Sequence, residues 1–381
     1  MSETVEKFEI RVEDAVLEDL RRRLSQTRFP DQIEGTDWDY GMPLAYIREL
    51  VEYWRDAYDW RAEESRLNRL DHYRTSIDGQ SIHFVHARSA RDDAFPLLLS
   101  HGWPGSVVEF LKVIPLLTDP EAHGADGADA FHVIAPSLPG YGFSEPTRTR
   151  GWGTRRIAEA FSALMGRLGY ARYGAQGGDW GAMITTDIGK VDPEHCAGIH
   201  LNMPIASVPD DPGELTETEK ADLAYGAHFR AEESGYSQIQ GTKPQTLGLG
   251  LNDSPAGLAG WIVEKFRTWS DCDGHPENVY TRDELLTNVM VYWVTQTITS
   301  STRLYYETFH GASPGIGQDR VEVPTGVARY PKEVMRFPRH WVERHYNLTH
   351  WTDMPRGGHF AAMEQPELFA EDVRAFFRTL R

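Results

Sequence analysis

Short apolar runs alternate with longer helical patterns between residues 96 and 201, and this alternation restricts the fold of the chain more than any other feature. Each stretch between two runs is long enough for a helical crossover between parallel strands. Parallel strands that are covered on both faces read as continuous apolar runs. The pattern therefore predicts an α/β fold, with a mostly parallel sheet and helices on both faces. The predicted strands are Pro96–Ser100, Phe131–Pro136, Ala171–Gln176 and Cys196–Leu201, and the predicted helices are Val107–Leu117, Arg155–Leu168 and one that starts at Trp180.

The regions on either side of this alternation have other patterns. Two amphipathic helices, Ala15–Leu24 and Leu44–Tyr58, precede a hairpin signal at Asp78-Gly79. Beyond residue 202 the chain turns helical and aromatic before strands return at Val321–Arg329 and Leu348–Thr352. The expected units are an N-terminal helical region that clamps the others (1–71), a first core part (72–202), an inserted helical cap (203–318) and a second core part (319–381).

Composition excludes several classes of partner. The 57 acidic and 39 basic residues give a formal charge of −18, which opposes binding to nucleic acid or to anionic lipid. Only two cysteines occur, so no disulfide framework or zinc knuckle can be written, and a reducing compartment is expected. No window is apolar enough for a membrane span. These features predict a cytoplasmic protein, and the arginine-rich basic residues suggest a bacterial source.

The segment Gly177-Gly178-Asp179-Trp180-Gly181 follows a predicted strand and precedes a predicted helix. This layout is that of the nucleophile elbow, with Asp179 where esterases and lipases hold serine. Small residues two positions before and after the nucleophile are needed because the turn is very sharp. The alternative is that Asp179 is an ordinary N-cap of the following helix.

A second loop, His101-Gly102-Trp103-Pro104-Gly105, directly follows the predicted strand that ends at Ser100. In a fold with a nucleophile elbow, this loop supplies one amide of an oxyanion hole, and the residue after the nucleophile supplies the other. The expected donors are therefore the amides of Trp103 and Trp180. A plain turn between a strand and a helix is the alternative.

A histidine and an acid complete the predicted catalytic group. His359 lies in a glycine-containing loop between the last strand and the last helix, which is the position of the base in the order nucleophile, acid, histidine. Glu333 follows the preceding strand and is the favoured acid. Asp353 is the alternative, although it lies close to His359 in sequence.

Several motifs together resemble those of α/β-hydrolase epoxide hydrolases of the microsomal and juvenile hormone type. The likeness extends over essentially the whole chain and includes the N-terminal helical region typical of that group. The membrane anchor of the microsomal members has no counterpart here, so the resemblance implies a soluble bacterial member. The motifs are Leu99–Gly105, Gly140–Ser144, Gly177–Gly181, Glu233–Tyr236, Thr287–Trp293 and Arg356–Ala362.

The resemblance also implies roles for individual residues. Asp179 would be the nucleophile, and Glu333 and His359 would activate water. Two cap tyrosines would act as acids, and the matching positions are Tyr236 and Tyr305, with the adjacent Tyr306 as the alternative to Tyr305. The implied activity converts an epoxide, of bulky or aryl type, and water to a vicinal diol through a covalent aspartyl ester. It needs no organic cofactor and no metal.

Two other functions remain open at this point. A haloalkane dehalogenase also has an aspartate elbow, but it holds halide with N–H donors and lacks the N-terminal helical region. A non-catalytic binding protein of the same fold would lack the nucleophile or the base. The expected partners are a small epoxide and water, with a homodimer as one alternative for the oligomeric state and natural-product biosynthesis as one setting. The histidines His340, His345 and His350 lack the arrangement of a zinc site.

Overall fold

A nine-stranded sheet forms the centre of the computed structural model, which describes residues 4–311 and 319–381. The strand order is β1-β2-β3-β5-β4-β6-β7-β8-β9. In this order, every pairing from β5 to β9 is parallel. The pairings β1–β2, β2–β3 and β3–β5 are antiparallel. The strands are β1 Glu6–Phe8, β2 His72–Ile77, β3 Gln80–Ala87, β4 Phe95–Ser100, β5 Phe131–Pro136, β6 Tyr173–Gly177, β7 Cys196–Leu201, β8 Val321–Arg329 and β9 Tyr346–Asp353.

Helices cover both faces of this sheet, as the apolar runs predict. In β4, Leu98 packs into one hydrophobic cluster, while Leu97 and Leu99 pack into the other. The alternation follows because successive side chains of a strand point to opposite faces. The helices are α1 Asp14–Ser25, α2 Leu44–Asp56, α3 Trp60–Leu67, α4 Val113–Thr118, α5 Thr154–Arg167, α6 Trp180–Val191, α7 Glu217–His228, α8 Gly235–Thr242, α9 Pro244–Leu251, α10 Pro255–Thr268, α11 Arg282–Thr295, α12 Ile298–Phe309, α13 Arg339–Val342, α14 Ala361–Glu364 and α15 Pro366–Phe377.

The predicted helix Val107–Leu117 is wrong as one continuous element. The structure has a 3-10 turn at Val107–Phe110 and then α4, which begins at Val113. Pro115 explains the break, because proline inside a helix removes a backbone donor and collides with the preceding turn. In α4 the same residue lies in the first turn, where proline is tolerated.

The N-terminal region is less purely helical than expected. The sequence predicts two helices there, whereas the structure adds α3 and the short strand β1, which pairs with β2 at the edge of the sheet. β1 has only three residues, so its pairing is set by β2 and leaves no periodic signal of its own. The side chain of Asp59 caps α3 by accepting from the amides of Arg61 and Ala62.

This region packs against the helices that lie between β7 and β8. The α1 and α2 helices contact α10. The Tyr53 hydroxyl donates to Asp283 Oδ1 at 2.8 Å, and the Tyr58 hydroxyl lies 3.0 Å from Thr287 Oγ1. These contacts connect residues more than 200 positions apart in the chain. The N-terminal region thus contacts the inserted helices, and its role as a clamp stays a prediction.

Helices α7 to α12 are inserted between β7 and β8, in the part of the chain predicted to form the cap. The four-unit division at 1–71, 72–202, 203–318 and 319–381 stays a prediction, and its boundary at residue 318 lies outside the described residues. Over residues 4–311 and 319–381, no helix combines the length and apolar character that crossing a membrane requires.

Candidate active site

The turn between β6 and α6 places Asp179 in an uncommon backbone conformation, with φ 51° and ψ −129°. A Cβ at Gly181 would overlap the carbonyl oxygen of Ser100, and a Cβ at Gly177 would overlap that of Gly181. Positive φ is costly for a residue with a side chain and persists only where the surroundings hold it. The turn therefore has the tight geometry of a nucleophile elbow, and it presents the Asp179 carboxylate beyond the end of the sheet.

The two carboxylate oxygens of Asp179 have different neighbours. Oδ1 accepts a hydrogen bond of 2.7 Å from the amide of Trp103, in the loop after β4. Oδ2 lies 3.4 Å from Nε2 of His359. The amide of Trp180 belongs to the first turn of α6, whose N–H groups have no partner within the helix. Of the two predicted oxyanion donors, the Trp103 amide thus contacts the carboxylate directly, and the Trp180 amide belongs to the residue that follows it.

His359 lies in the loop between β9 and α14, and its Nδ1 is 2.6 Å from Glu333 Oε1. The Glu333 side chain is 1% exposed, whereas that of Asp353 is 66% exposed and pairs with Arg329. The structure thus brings Glu333, and not Asp353, to the histidine. Burial works against a charged imidazole, but the two neighbouring carboxylates outweigh it and raise the pKa of His359 well above its ordinary value.

The two cap tyrosines lie over the nucleophile. Tyr236 of α8 stacks on the Trp103 ring with centroids 5.3 Å apart, and Tyr305 of α12 meets the Trp180 ring edge-on at 4.6 Å. Burial, and then the charge of Asp179, raise the pKa of Tyr236 above its ordinary value. Burial, the neighbouring Tyr236 and Asp179 do the same for Tyr305. Both phenols are therefore protonated at neutral pH and can donate.

Of the two adjacent tyrosines in α12, only Tyr305 faces the site. Tyr305 is 3% exposed, whereas Tyr306 is 39% exposed and stacks on His310 at 4.1 Å. Adjacent residues of a helix point in directions about 100° apart, so a shift of one residue changes which side chain faces the core. The position of Tyr305 agrees with the matched motif, and Tyr306 lies at the surface.

Sequence reasoning missed the residues that support the loop 101–105. Asn288 of α11 donates to the carbonyl of Pro104 at 2.7 Å, and the Tyr292 hydroxyl donates to that of Gly105 at 2.5 Å. Ser106 donates to the Asn288 side chain at 2.8 Å. Both α11 residues lie in a motif that carried the family resemblance, but the motif gave no indication of this task.

Glu364 was also missed, and it supports the loop of His359. Its carboxylate accepts from the amides of Gly358 and Phe360, which flank the histidine, and from that of Asp271 in the insertion, at 2.8 to 2.9 Å. Burial raises the pKa of Glu364 to about 7 against the effect of these hydrogen bonds. Nothing in its sequence position pointed to such a role.

The scattered histidines have separate partners. His340 contacts the carbonyl of Pro212, His345 contacts Ser207, and His350 pairs with Asp372. Within the part of the chain that the structure describes, no cluster of three or more histidine, cysteine or acidic side chains is arranged to hold a metal ion.

The sheet order, the elbow at Asp179 and the histidine–glutamate pair define a protein of the α/β-hydrolase fold. Two family descriptions match the chain: "Epoxide hydrolase N terminus" over residues 5–110 and "alpha/beta hydrolase fold" over residues 96–236. A protein of Stigmatella aurantiaca, provisionally named an epoxide hydrolase, is 50% identical over 98% of this chain and 85% of its own length.

Two further relatives extend this likeness. Epoxide hydrolase 1 of Sus scrofa is 40% identical over 99% of this chain and 89% of its own length. The crystal structure of juvenile hormone epoxide hydrolase from Bombyx mori superposes with a TM-score of 0.92 at 36% identity, covering 100% of this chain and 95% of that one. The chain belongs to the epoxide hydrolase family of the α/β-hydrolase fold.

Proposed function

We propose that this epoxide hydrolase works through a covalent ester on Asp179 and releases a vicinal diol. One observation carries the proposal: the Asp179 carboxylate lies where the Trp103 amide, the His359–Glu333 pair and two buried phenols converge. Each of these groups has a task in a two-step hydrolysis that needs neither an organic cofactor nor a metal.

In the first step, Asp179 Oδ2 attacks a ring carbon of the epoxide. A carbon–oxygen bond of the ring breaks, an ester bond forms, and the ring oxygen becomes a developing alkoxide. An alkoxide is a poor leaving group, so it needs hydrogen-bond donors and a proton. The Tyr236 and Tyr305 hydroxyls supply both, and one phenol becomes a phenolate.

Ester formation prepares His359 for the second step. It removes the negative charge that lies 3.4 Å from Nε2, so the pKa of His359 falls. The imidazolium returns a proton to the phenolate and becomes a neutral base. It then takes a proton from water, whose oxygen attacks the ester carbonyl while the amides of Trp103 and Trp180 hold the oxyanion. The acyl–oxygen bond breaks, the leaving alkoxide takes the remaining proton of the former water and departs as the diol, and the Asp179 carboxylate and the His359 imidazolium are restored.

An isotope experiment tests the ester. In a single turnover in oxygen-18 water with enzyme in excess, the label should enter the Asp179 carboxylate and the diol should remain unlabelled. The reason is that the new diol oxygen comes from the side chain and not from solvent. Label in the first diol would mean direct attack by water and would refute the covalent mechanism.

We also propose a bulky or aryl-substituted epoxide as the substrate, because the nucleophile lies among the aromatic rings of Trp103, Trp180, Tyr236 and Trp269. A hydrolysis panel of styrene oxide, stilbene oxides, aliphatic epoxides and 1-haloalkanes should show the highest kcat/KM for aryl epoxides. A preference for small aliphatic epoxides would refute this substrate class. Release of halide at a comparable rate would favour the dehalogenase alternative.

A bacterial cytoplasmic setting is part of the same proposal. Both cysteines are buried and unpaired, which suits a reducing compartment.

A further inference from the structure

A small polar cavity lies beneath the loop 101–105 and borders both Asp179 and His359. The volume in this cavity that the centre of a water molecule can occupy is about 10 Å³. A cavity needs about that much to hold one water. Its walls also include Ser100, Glu109 and Gln176. A water in this cavity would therefore be next to the carbonyl carbon that the proposed ester places on Asp179.

Glu109 turns its carboxyl group into this cavity from the 3-10 turn that follows the loop. Its Oε1 occupies the space that a Cβ at position 105 would take, so Gly105 leaves room for it. Burial raises the pKa of Glu109 to about 8, although the nearby charge of His359 acts in the opposite direction. At neutral pH this carboxyl is thus mostly protonated, and the two-step mechanism above gives it no task.

The cavity also contains polar atoms without a protein partner. Among the residues that the structure describes, Ser100 Oγ and Gln176 Oε1 are buried and form no hydrogen bond. Buried polar groups almost always have a partner, and a buried water usually contacts two to four of them. A water in the cavity that accepts from the Ser100 hydroxyl and donates to the Glu109 carboxyl would give Ser100 Oγ the partner it lacks.

We propose that Glu109 positions the water that hydrolyses the ester. The proposal rests on the covalent mechanism above. The water donates one hydrogen bond to the Glu109 carboxyl. Its other proton passes to Nε2 of His359 as the water oxygen attacks the carbonyl carbon of Asp179. Glu109 neither gains nor loses a proton, so a neutral amide can take its place as an acceptor, whereas an apolar side chain cannot.

Transient kinetics on three variants test this role by measuring alkylation and ester hydrolysis separately. Glu109→Met should slow hydrolysis about 10- to 100-fold, the range for losing a positioned hydrogen bond, and leave alkylation within about threefold of wild type. Its kcat and KM should fall together, with kcat/KM unchanged. Glu109→Gln should restore most of the hydrolysis rate. The control is Glu64→Gln, since Glu64 is a buried carboxyl of α3 remote from the site, and both rate constants should stay unchanged there.

Two kinetic outcomes would overturn the proposal. Unchanged hydrolysis in Glu109→Met would remove Glu109 from the reaction, and equal losses in both steps would mean that it only supports the loop of Trp103. If Glu109→Met does not fold, a high-resolution crystal structure of the wild-type enzyme tests the role of Glu109 instead. It should show a water within hydrogen-bond distance of both the Glu109 carboxyl and Nε2 of His359, and its absence there would refute the role. A failure of the covalent mechanism would be distinguishable from a failure of the role of Glu109, because no ester would then form in any variant.

Discussion

The core and the cap hold their parts of the site in different ways. In the core, Asp179, Glu333 and His359 follow the ends of β6, β8 and β9, and short hydrogen bonds and a strained turn fix their positions. In the cap, Tyr236 and Tyr305 are held by contacts between aromatic rings. The difference corresponds to the two proposed steps. Asp179 takes part in both, whereas the His359–Glu333 pair is assigned to ester hydrolysis and the cap phenols are assigned to ring opening. Variants of that pair and of the two tyrosines should therefore slow different steps.

The largest effect is expected in the core, from His359→Gln. Ring opening needs no base, so the ester should form and then persist, with hydrolysis slowed about 10⁴-fold, the upper range for a general base. Intact-protein mass spectrometry should show an increase equal to one substrate molecule. The control is His345→Gln, because His345 contacts Ser207 and not the site. A His359→Gln enzyme with normal turnover would remove the histidine from the mechanism.

The next effect is expected in the cap. Tyr236→Phe and Tyr305→Phe should each slow alkylation about 10- to 1,000-fold, because each loses one positioned donor to the ring oxygen, while ester hydrolysis should change little. Stopped-flow measurement of tryptophan fluorescence under single-turnover conditions separates the two steps. Tyr306→Phe is a matched control on the same helix and should behave like wild type. The reverse result for Tyr305 and Tyr306 would shift the assignment by one residue.

The same contrast explains what the sequence could and could not predict. The turn at Asp179 needs glycines at fixed positions, and Glu333 and His359 follow strand ends in a fixed order. The core residues are therefore marked by local patterns in the sequence. Tyr305 and Tyr306 are adjacent tyrosines, and only the packing of α12 decides which one is buried. The cavity that Glu109 borders and the contact of Glu364 with Asp271 depend on loops that come together from distant parts of the chain. Such long-range contacts leave no local pattern, and the short strand β1 was missed for the same reason.

A smaller effect is expected where the core and the cap meet. Asp222 of α7 is buried and pairs with Arg329 and with Arg336, and Arg336 also donates to the backbone carbonyl of Glu333. The cap is thus linked to the loop that carries the acid. Asp222→Asn should slow ester hydrolysis about 2- to 30-fold, the range of such indirect coupling, with a smaller change in alkylation.

The matched control for this link is Glu217→Gln, because Glu217 lies on the same helix, is exposed and pairs with Lys220. Both rate constants should stay at the wild-type values in that variant. An Asp222→Asn enzyme that loses alkylation but keeps hydrolysis would show that α7 acts on the tyrosines and not on the acid, and the expected link from α7 to the loop of Glu333 would then be refuted.

The smallest effect is expected from the N-terminal region, the predicted clamp, which contacts the cap helices and, among its described residues, holds none of the groups assigned to the reaction. Tyr58→Phe removes the hydroxyl that lies 3.0 Å from Thr287 Oγ1. It should lower the free energy of unfolding by about 1 kcal/mol, the typical net value of a buried hydrogen bond, and leave both rate constants unchanged. Denaturant unfolding measures the loss, and Tyr40→Phe is the control because Tyr40 is 79% exposed. If Tyr58→Phe instead slowed alkylation without loss of stability, the N-terminal region would be setting the position of the cap during catalysis and would be more than a clamp.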